Sequence, residues 1–405
     1  MVLSLLITDW LDWKHVAKMD NAMCSKNARL GWLDFLRTEC IFRSVYFGHV
    51  RTSFDFCTWS VSRQIRTKDV NFDINGFHVN NATREWMQNT AQFATTMKVI
   101  SFYNTPLTSI MQVFGKLKVL SINGCVLNET FWKVLRSNPN LEELRIINCD
   151  WRCVHEPINF SMLRLTKLVV FDHSHQKTDA VLLIKQLLNL QCLKLGSAKF
   201  QEIYSLLPEF CPKLVQLDLR RTKHTIADGE NFTNLMQSLK MGLRCLILPE
   251  IEDFSPTELH SIVDYHSHSL RCLSFRSLHR NAGDNIVHLI NSLSHLHTLQ
   301  ILSQTLSAMS VTIVNPNITH LFIRGGLHYL RNLENHCTAI TTLSMGSFGH
   351  SPCIVTDITN FLTTRPLVTT VCVDDESALE ELKEKLPKTM VVVKCKDIDI
   401  FEHTY

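Results

Sequence analysis

The sequence predicts an α/β solenoid, a stack of short strand–turn–helix units, and three observations carry that prediction. First, Leu117-Lys118-Val119-Leu120-Ser121-Ile122 returns as Leu141-Glu142-Glu143-Leu144-Arg145-Ile146. The same pattern returns at 190–195, 214–219, 243–248, 270–275 and 296–301, and with isoleucine in the lead at 318–323 and 340–345. Weaker copies begin at Met97, Leu168 and Val368. Second, the spacing holds near about 25 residues, the mark of a repeat array and not of one globular core. Third, apolar residues between the copies fall at helical spacing.

Read in order, the chain divides into four parts. Residues 1–45 suit three short helices. Leu5, Leu6, Ile7, Trp10 and Leu11 share one face; Val16, Met19 and Met23 form a second after the turn at Asp12-Trp13-Lys14; Trp32, Leu33, Phe35 and Leu36 form a third. A bundle this small is marginal alone and leans on a neighbour or a partner. Residues 46–90 carry no copy of the pattern and read as a linker and N-terminal cap. Residues 91–375 are the repeats, with the L-x-x-L-x-[L/I/F] signature of leucine-rich repeats. Residues 376–405 read as a last helix (376–386), a last strand (390–395) and a tail.

Within a repeat, Leu144 and Ile146 alternate with strand period and point into the stack, while Glu143, Arg145 and Ile147 point the other way. A corner follows, as in Asn123-Gly124-Cys125 and Asn148-Cys149, where a small or amide side chain satisfies the turning backbone. Helix faces follow at Phe131, Val134 and Leu135; Val181, Leu182, Ile184, Leu187 and Leu188, with Lys185 at the rim; Ile203, Leu206 and Leu207; Leu259, Ile262 and Val263; and Ile286, Leu289, Ile290 and Leu293. Ser255-Pro256-Thr257-Glu258 reads as a capping box. Pro139 and Pro212 stop helices and extend the chain towards the next strand. Longer gaps place excursions around 149–159 and 223–231. Strands inside and bulkier helices outside predict a right-handed βα horseshoe of the ribonuclease-inhibitor kind, whose ends need caps.

Composition narrows the function. The hydrophobic fraction is 45% and the charged fraction 20%, as in a folded soluble protein. A net charge of +3 argues against nucleic-acid binding through bulk charge. The apolar start lacks a basic flank and meets Asp9 and Asp12 at once, a poor signal peptide, and no apolar run is long enough to span a membrane. The 14 cysteines contain no C-x-x-C pair and read as buried thiols of a reducing compartment, so the expected location is cytoplasmic or nuclear. No P-loop, G-x-G-x-x-G, G-x-S-x-G or H-E-x-x-H occurs, and no catalytic, cofactor or metal site is expected. His173 and His175 share a strand face, and Cys149, Cys153 and His155 lie close in sequence; each group lacks a further ligand at zinc spacing and reads as polar loop or rim.

The expected working surface is the solvent face of the strands. Arg145, Lys194, Asp218, Arg220, Arg276 and Arg324 stand there, with Ser274, Gln300 and Ser344 between. Guanidinium groups in neighbouring strands suit an acidic or phosphorylated protein.

Ile7-x-x-x-Leu11-Asp12-x-Lys14-x-Val16-x-Lys18-x-x-x-Ala22-Met23-Cys24 resembles a degenerate F-box, a helix ending in I-x-x-x-L, a turn, an apolar–basic helix and V-C. The Leu-Pro opening of that motif is absent. Followed by repeats with phrases such as Cys211-Pro212-Lys213-Leu214, it is similar to the F-box/leucine-rich-repeat family. That resemblance implies an N-terminal F-box-like helical cap and a substrate-recognition subunit of a cullin–RING (SCF-type) ubiquitin ligase. It implies that Leu6, Ile7, Leu11, Val16 and Met19 meet a Skp-type adaptor, that the arc takes the protein substrate, and that the chemistry belongs to the cullin's partners. The alternative is a repeat scaffold with no ligase link, in which those residues are the core of a cap that seals the first repeat. A regulator of a GTPase or nuclease would need a rim finger or an extensive acidic face, and no acidic face is found in the sequence.

Overall fold

The computed structural model describes residues 13–23, 25–38, 41–47, 50–73, 81–89, 93–101, 113–151, 164–171, 183–196, 203–220, 222, 229–239, 241–251, 254–277, 283–303, 313–324, 337–346, 354–363, 365, 367–373 and 375–394. The chain divides into two compact units, Met1–Leu190 and Gln191–Tyr405.

Unit 1 begins with helices α1 (Trp13–Ala22) and α2 (Lys26–Thr38). Strand β1 (Ile41–Phe47), helix α3 (Val50–Arg63), β2 (Arg66–Asp73), α4 (Asn81–Asn89) and β3 (Thr96–Ile100) follow. Then come β4 (Val119–Asn123), β5 (Val126–Leu127), α5 (Glu129–Ser137), β6 (Glu143–Ile147), β7 (Asp150–Trp151) and β8 (Lys167–Phe171). Strands β1, β2, β3, β4, β6 and β8 pair side by side in that order, all parallel. In register, Val70, Met97, Leu120, Leu144 and Leu168 form one buried row.

The ladder reaches further towards the N-terminus than the leucine pattern does. Residues 46–90, expected as linker and cap, contain α3, β2 and α4, and β1 starts at Ile41. The pattern is hidden because the lead positions in register here are Phe42 and Thr67. The weak copies at Met97 and Leu168 also shift by three residues. Both stand opposite the second leucine of neighbouring repeats, so the leads are Ala94 and Leu165, each buried.

Unit 2 repeats the plan with β9 (Cys192–Gly196), α6 (Ile203–Phe210), β10 (Gln216–Asp218), α7 (Gly229–Ser238), β11 (Cys245–Glu250), α8 (Pro256–His266) and β12 (Cys272–Ser277). It continues through α9 (Gly283–Ser292), β13 (Thr298–Ser303), β14 (His320–Arg324), β15 (Thr342–Gly346), α10 (Ile354–Thr363), β16 (Thr370–Val373), α11 (Glu376–Lys385) and β17 (Val391–Lys394). Leu193, Leu217, Leu246 and Leu273 align along adjacent parallel strands with no exposure at all. These ladders, with helices between many of the successive strands, are an α/β leucine-rich-repeat solenoid. Truncating such a leucine to alanine typically costs about 2–5 kcal/mol.

Polar groups stitch repeats together. The amide of Asn138, fully buried, accepts from Leu117 N (2.9 Å) and donates to Val134 O (2.8 Å). Asn315 does the same work in unit 2, donating to Ile290 O and Leu293 O. His266 Nδ1 accepts from Leu243 N (3.2 Å); burial pushes its pKa down to about 4, which keeps the acceptor unprotonated. The capping box at Ser255 is present, with Glu258 returning to the Ser255 N–H. The expected corner is seen after β4 and β6: Gly124 and Asn148 both take positive φ, and the buried thiols of Cys125 and Cys149 donate to main-chain carbonyls.

Helices α1 and α2 are tied to the first repeat. Trp13 packs edge-on against Phe56 of α3 (5.4 Å between centroids), and Val16 is buried. Asp20, with no exposed surface, accepts from Arg29 Nε (3.1 Å) and from Arg63 Nε (2.8 Å). One carboxylate thus joins α1, α2 and α3.

Candidate functional site

The solvent side of the parallel strands differs between the units. In unit 1 the strands alternate, with burial every second residue in β4 and β6. In register, Asn71, Lys98, Ser121 and Arg145 run across β2, β3, β4 and β6, and none of them is buried. Beside them run Asp69, Thr96, Val119, Glu143 and Lys167, all half-exposed. Glu143 sits between two cations: Arg145 Nε bonds it from the same strand, and Lys167 Nζ reaches it at 3.2 Å from β8.

In unit 2 the corresponding row is closed. Lys194, Asp218, Ile247, Ser274 and Gln300 stand in register and are all buried. Ser274 Oγ donates to Gln300 Oε1 (2.7 Å). Cys192, Cys245 and Cys272 occupy the adjacent row and are buried too. Strand β11 is buried at every position from Cys245 to Pro249, in keeping with its unbroken apolar run Cys245-Leu246-Ile247-Leu248.

This placement changes the reading of the expected arginine row. Lys194 and Asp218 are 6% and 3% exposed, so neither lies on an open surface as expected. Their neighbours across the register, Ile247, Ser274 and Gln300, are buried as well. Arg145 is paired with Glu143, Arg220 Nη2 with Asp218 Oδ2 (2.7 Å), and Arg276 Nη1 with Glu250 Oε1 (3.8 Å). Each of these guanidiniums is half-exposed or exposed and shares its charge with a carboxylate of this chain. Arg324 stands in β14 opposite Gly346; its side chain lies outside the described residues. Sequence reasoning passed over Lys98 and Ser121, which share the row of Arg145. The alternation in Val119-Leu120-Ser121-Ile122-Asn123, against the apolar runs of unit 2, is the signal that finds them.

No family model matches the sequence, and no curated protein matches it. Solved structures resemble it at low similarity. The mouse RP105/MD-1 complex is 14% identical over 85% of this chain, with a TM-score of 0.38. The TLR13–ssRNA13 complex is 12% identical over 89% of it, with a TM-score of 0.35. The chain spans 58% and 62% of the length of those chains. The ladder itself, not this likeness, carries the assignment of the fold.

The residues assigned to an adaptor fall out as follows. Leu6, Ile7 and Leu11 lie outside the described residues. Val16 is buried on the side of α1 that faces inward, and Met19 is 41% exposed. Leu30 of α2 is 56% exposed. His173, His175, Cys153 and His155 also lie outside the described residues, and no helix among the described residues is long and apolar enough to cross a membrane.

Proposed function

We propose that this chain is a protein-recognition scaffold whose strand face in unit 1 takes a protein partner. The open row Asn71, Lys98, Ser121 and Arg145, against the buried row of unit 2, is the observation that supports this most. Main-chain pairing holds these side chains at fixed spacing, so little ordering is needed when a partner binds. The surface is mixed in charge, with Asp69 and Glu143 beside Lys98 and Lys167, and suits a partner of mixed polarity.

The finer reading is the one the F-box resemblance implies: the partner is a substrate delivered to a cullin–RING ubiquitin ligase in the cytoplasm or nucleus. Supporting it, Met19 and Leu30 stand out to solvent on α1 and α2, while Trp13, Val16 and Asp20 are turned to the packed side. An exposed apolar pair on a helix pair braced by the first repeat is suited to an adaptor; Val16 serves as packing. Affinity purification from cells tests this. Adaptor and cullin are expected with the wild-type chain and fall by about tenfold with Met19→Asp plus Leu30→Asp, exposed changes that shift stability by only about 0.5 kcal/mol each. If neither copurifies with the wild-type chain, the ligase link is lost and the scaffold reading stands alone.

A further inference from the structure

One edge of unit 1 gathers cations that its own carboxylates leave unpaired. Arg66, Phe93, Lys116 and Arg164 each stand four residues before a core position of the ladder, at Val70, Met97, Leu120 and Leu168. Lys68 and Lys118 stand two residues before Val70 and Leu120. All therefore lie at the start of the strands, on the same edge. Phe93 is 38% exposed, with Arg66 Cζ at 5.1 Å and Lys116 Nζ at 6.0 Å from its ring centroid.

Two features coincide on this edge. Lys118 bonds Glu142 (2.9 Å), yet Arg66, Lys68, Lys116 and Arg164 have no carboxylate within ion-pair distance among the described residues. Moreover, an aromatic ring is held in the open between two of the unpaired cations, where it keeps an apolar surface in reach of a ligand. The spacing is fixed by backbone bonds: Thr95 N donates to Lys68 O (2.8 Å), and Lys118 N donates to Thr95 O (2.7 Å). Arg66 and Lys116 belong to strands two apart, which sets them about 10 Å from each other, close to three residues of extended peptide.

We propose that this edge binds an acidic segment of a partner protein, extended across the strand starts, with carboxylates on Arg66, Lys68 and Lys116 and an apolar side chain on Phe93. The surface is distinct from the open strand face, so it goes beyond the proposed function and stands or falls separately. A net charge of only +3 favours a short acidic peptide over a polyanion held by bulk charge.

Fluorescence anisotropy of an oligo-glutamate peptide with a central leucine, mixed with the full chain, tests the proposal. The peptide is expected to bind, to weaken as salt is raised, and to lose about tenfold in affinity with Lys68→Glu plus Lys116→Glu. Phe93→Ala is expected to lose about threefold. Lys133→Glu plus Arg136→Glu, both exposed on α5 and away from this edge, is the charge-matched control and leaves affinity unchanged. Circular dichroism confirms that each variant is folded. Failure of the wild-type chain to bind overturns the proposal. So does equal binding by the Lys68→Glu, Lys116→Glu variant, or tighter binding of an oligo-uridylate of equal charge at the same edge.

Discussion

Asp20→Ala is expected to lower the stability of unit 1 by about 3 kcal/mol and to release α1 and α2 from the first repeat. The carboxylate is fully buried and accepts from Arg29 Nε, Arg29 Nη2 and Arg63 Nε. Removing it leaves two facing guanidiniums with their mutual repulsion uncompensated. Both retain access to water, at 36% and 24% exposure, which places the cost at the lower end of the range for broken buried pairs. Urea unfolding followed by limited proteolysis reads both parts: a lower midpoint, and early cleavage in the segment joining α2 to β1. The effect also depends on pH in a definite direction. Burial pushes the Asp20 carboxyl up, but Arg29 and Arg63 outweigh it and hold the pKa below the ordinary value of 3.8. The native state therefore binds this proton less readily than the unfolded chain. Its contribution is fully present above the unfolded value and fades as pH falls through the lower folded value. Wild type and Asp20→Ala should differ at neutral pH and converge in acid.

Gly124→Ala is expected to cost about 3 kcal/mol or more, as much as a large core truncation. Gly124 follows β4 with φ of +68°, in the region that side chains avoid. A Cβ there would lie 1.9 Å from Ser101 O, a backbone atom of the neighbouring repeat. That atom cannot move alone, because Ser101 N donates to Asn123 O (2.8 Å) and Gly124 N donates to Ile147 O (2.9 Å). The next repeat has Asn148 at this corner with φ of 50°, so the corner tolerates an asparagine where the neighbouring strand leaves room. A thermal melt of Gly124→Ala against Asn148→Ala separates the two causes. Asn148→Ala should lose only about 1 kcal/mol, the conformational part, and Gly124→Ala should lose the steric part as well.

The legibility of the fold tracks how strictly each repeat obeys the leucine pattern. Leu120, Leu144, Leu193, Leu217, Leu246 and Leu273 announce their strands because each must fill the same slot in a close-packed row. Strands β1 and β2 escape notice because Phe42 and Thr67 fill the lead slot instead. The pairing of Glu143 with Arg145 is readable in principle, since residues two apart on a strand share a face. The Asp20–Arg63 bond, across 43 residues, is not: it depends on how α1 folds back on α3. Likewise, whether a strand's outer face is open follows from what packs over it, and alternation against apolar runs gives only a partial warning.

The central claim is that partner recognition belongs to the open strand face of unit 1. Site-specific photo-crosslinking measures this directly, with benzoylphenylalanine placed at Lys98 of β3 or at His320 of β14, both exposed strand residues, one in each unit. In cells, the Lys98 position is predicted to yield discrete adducts with another protein and the His320 position none. Adducts at His320 alone, or equal yields at both positions, would contradict it.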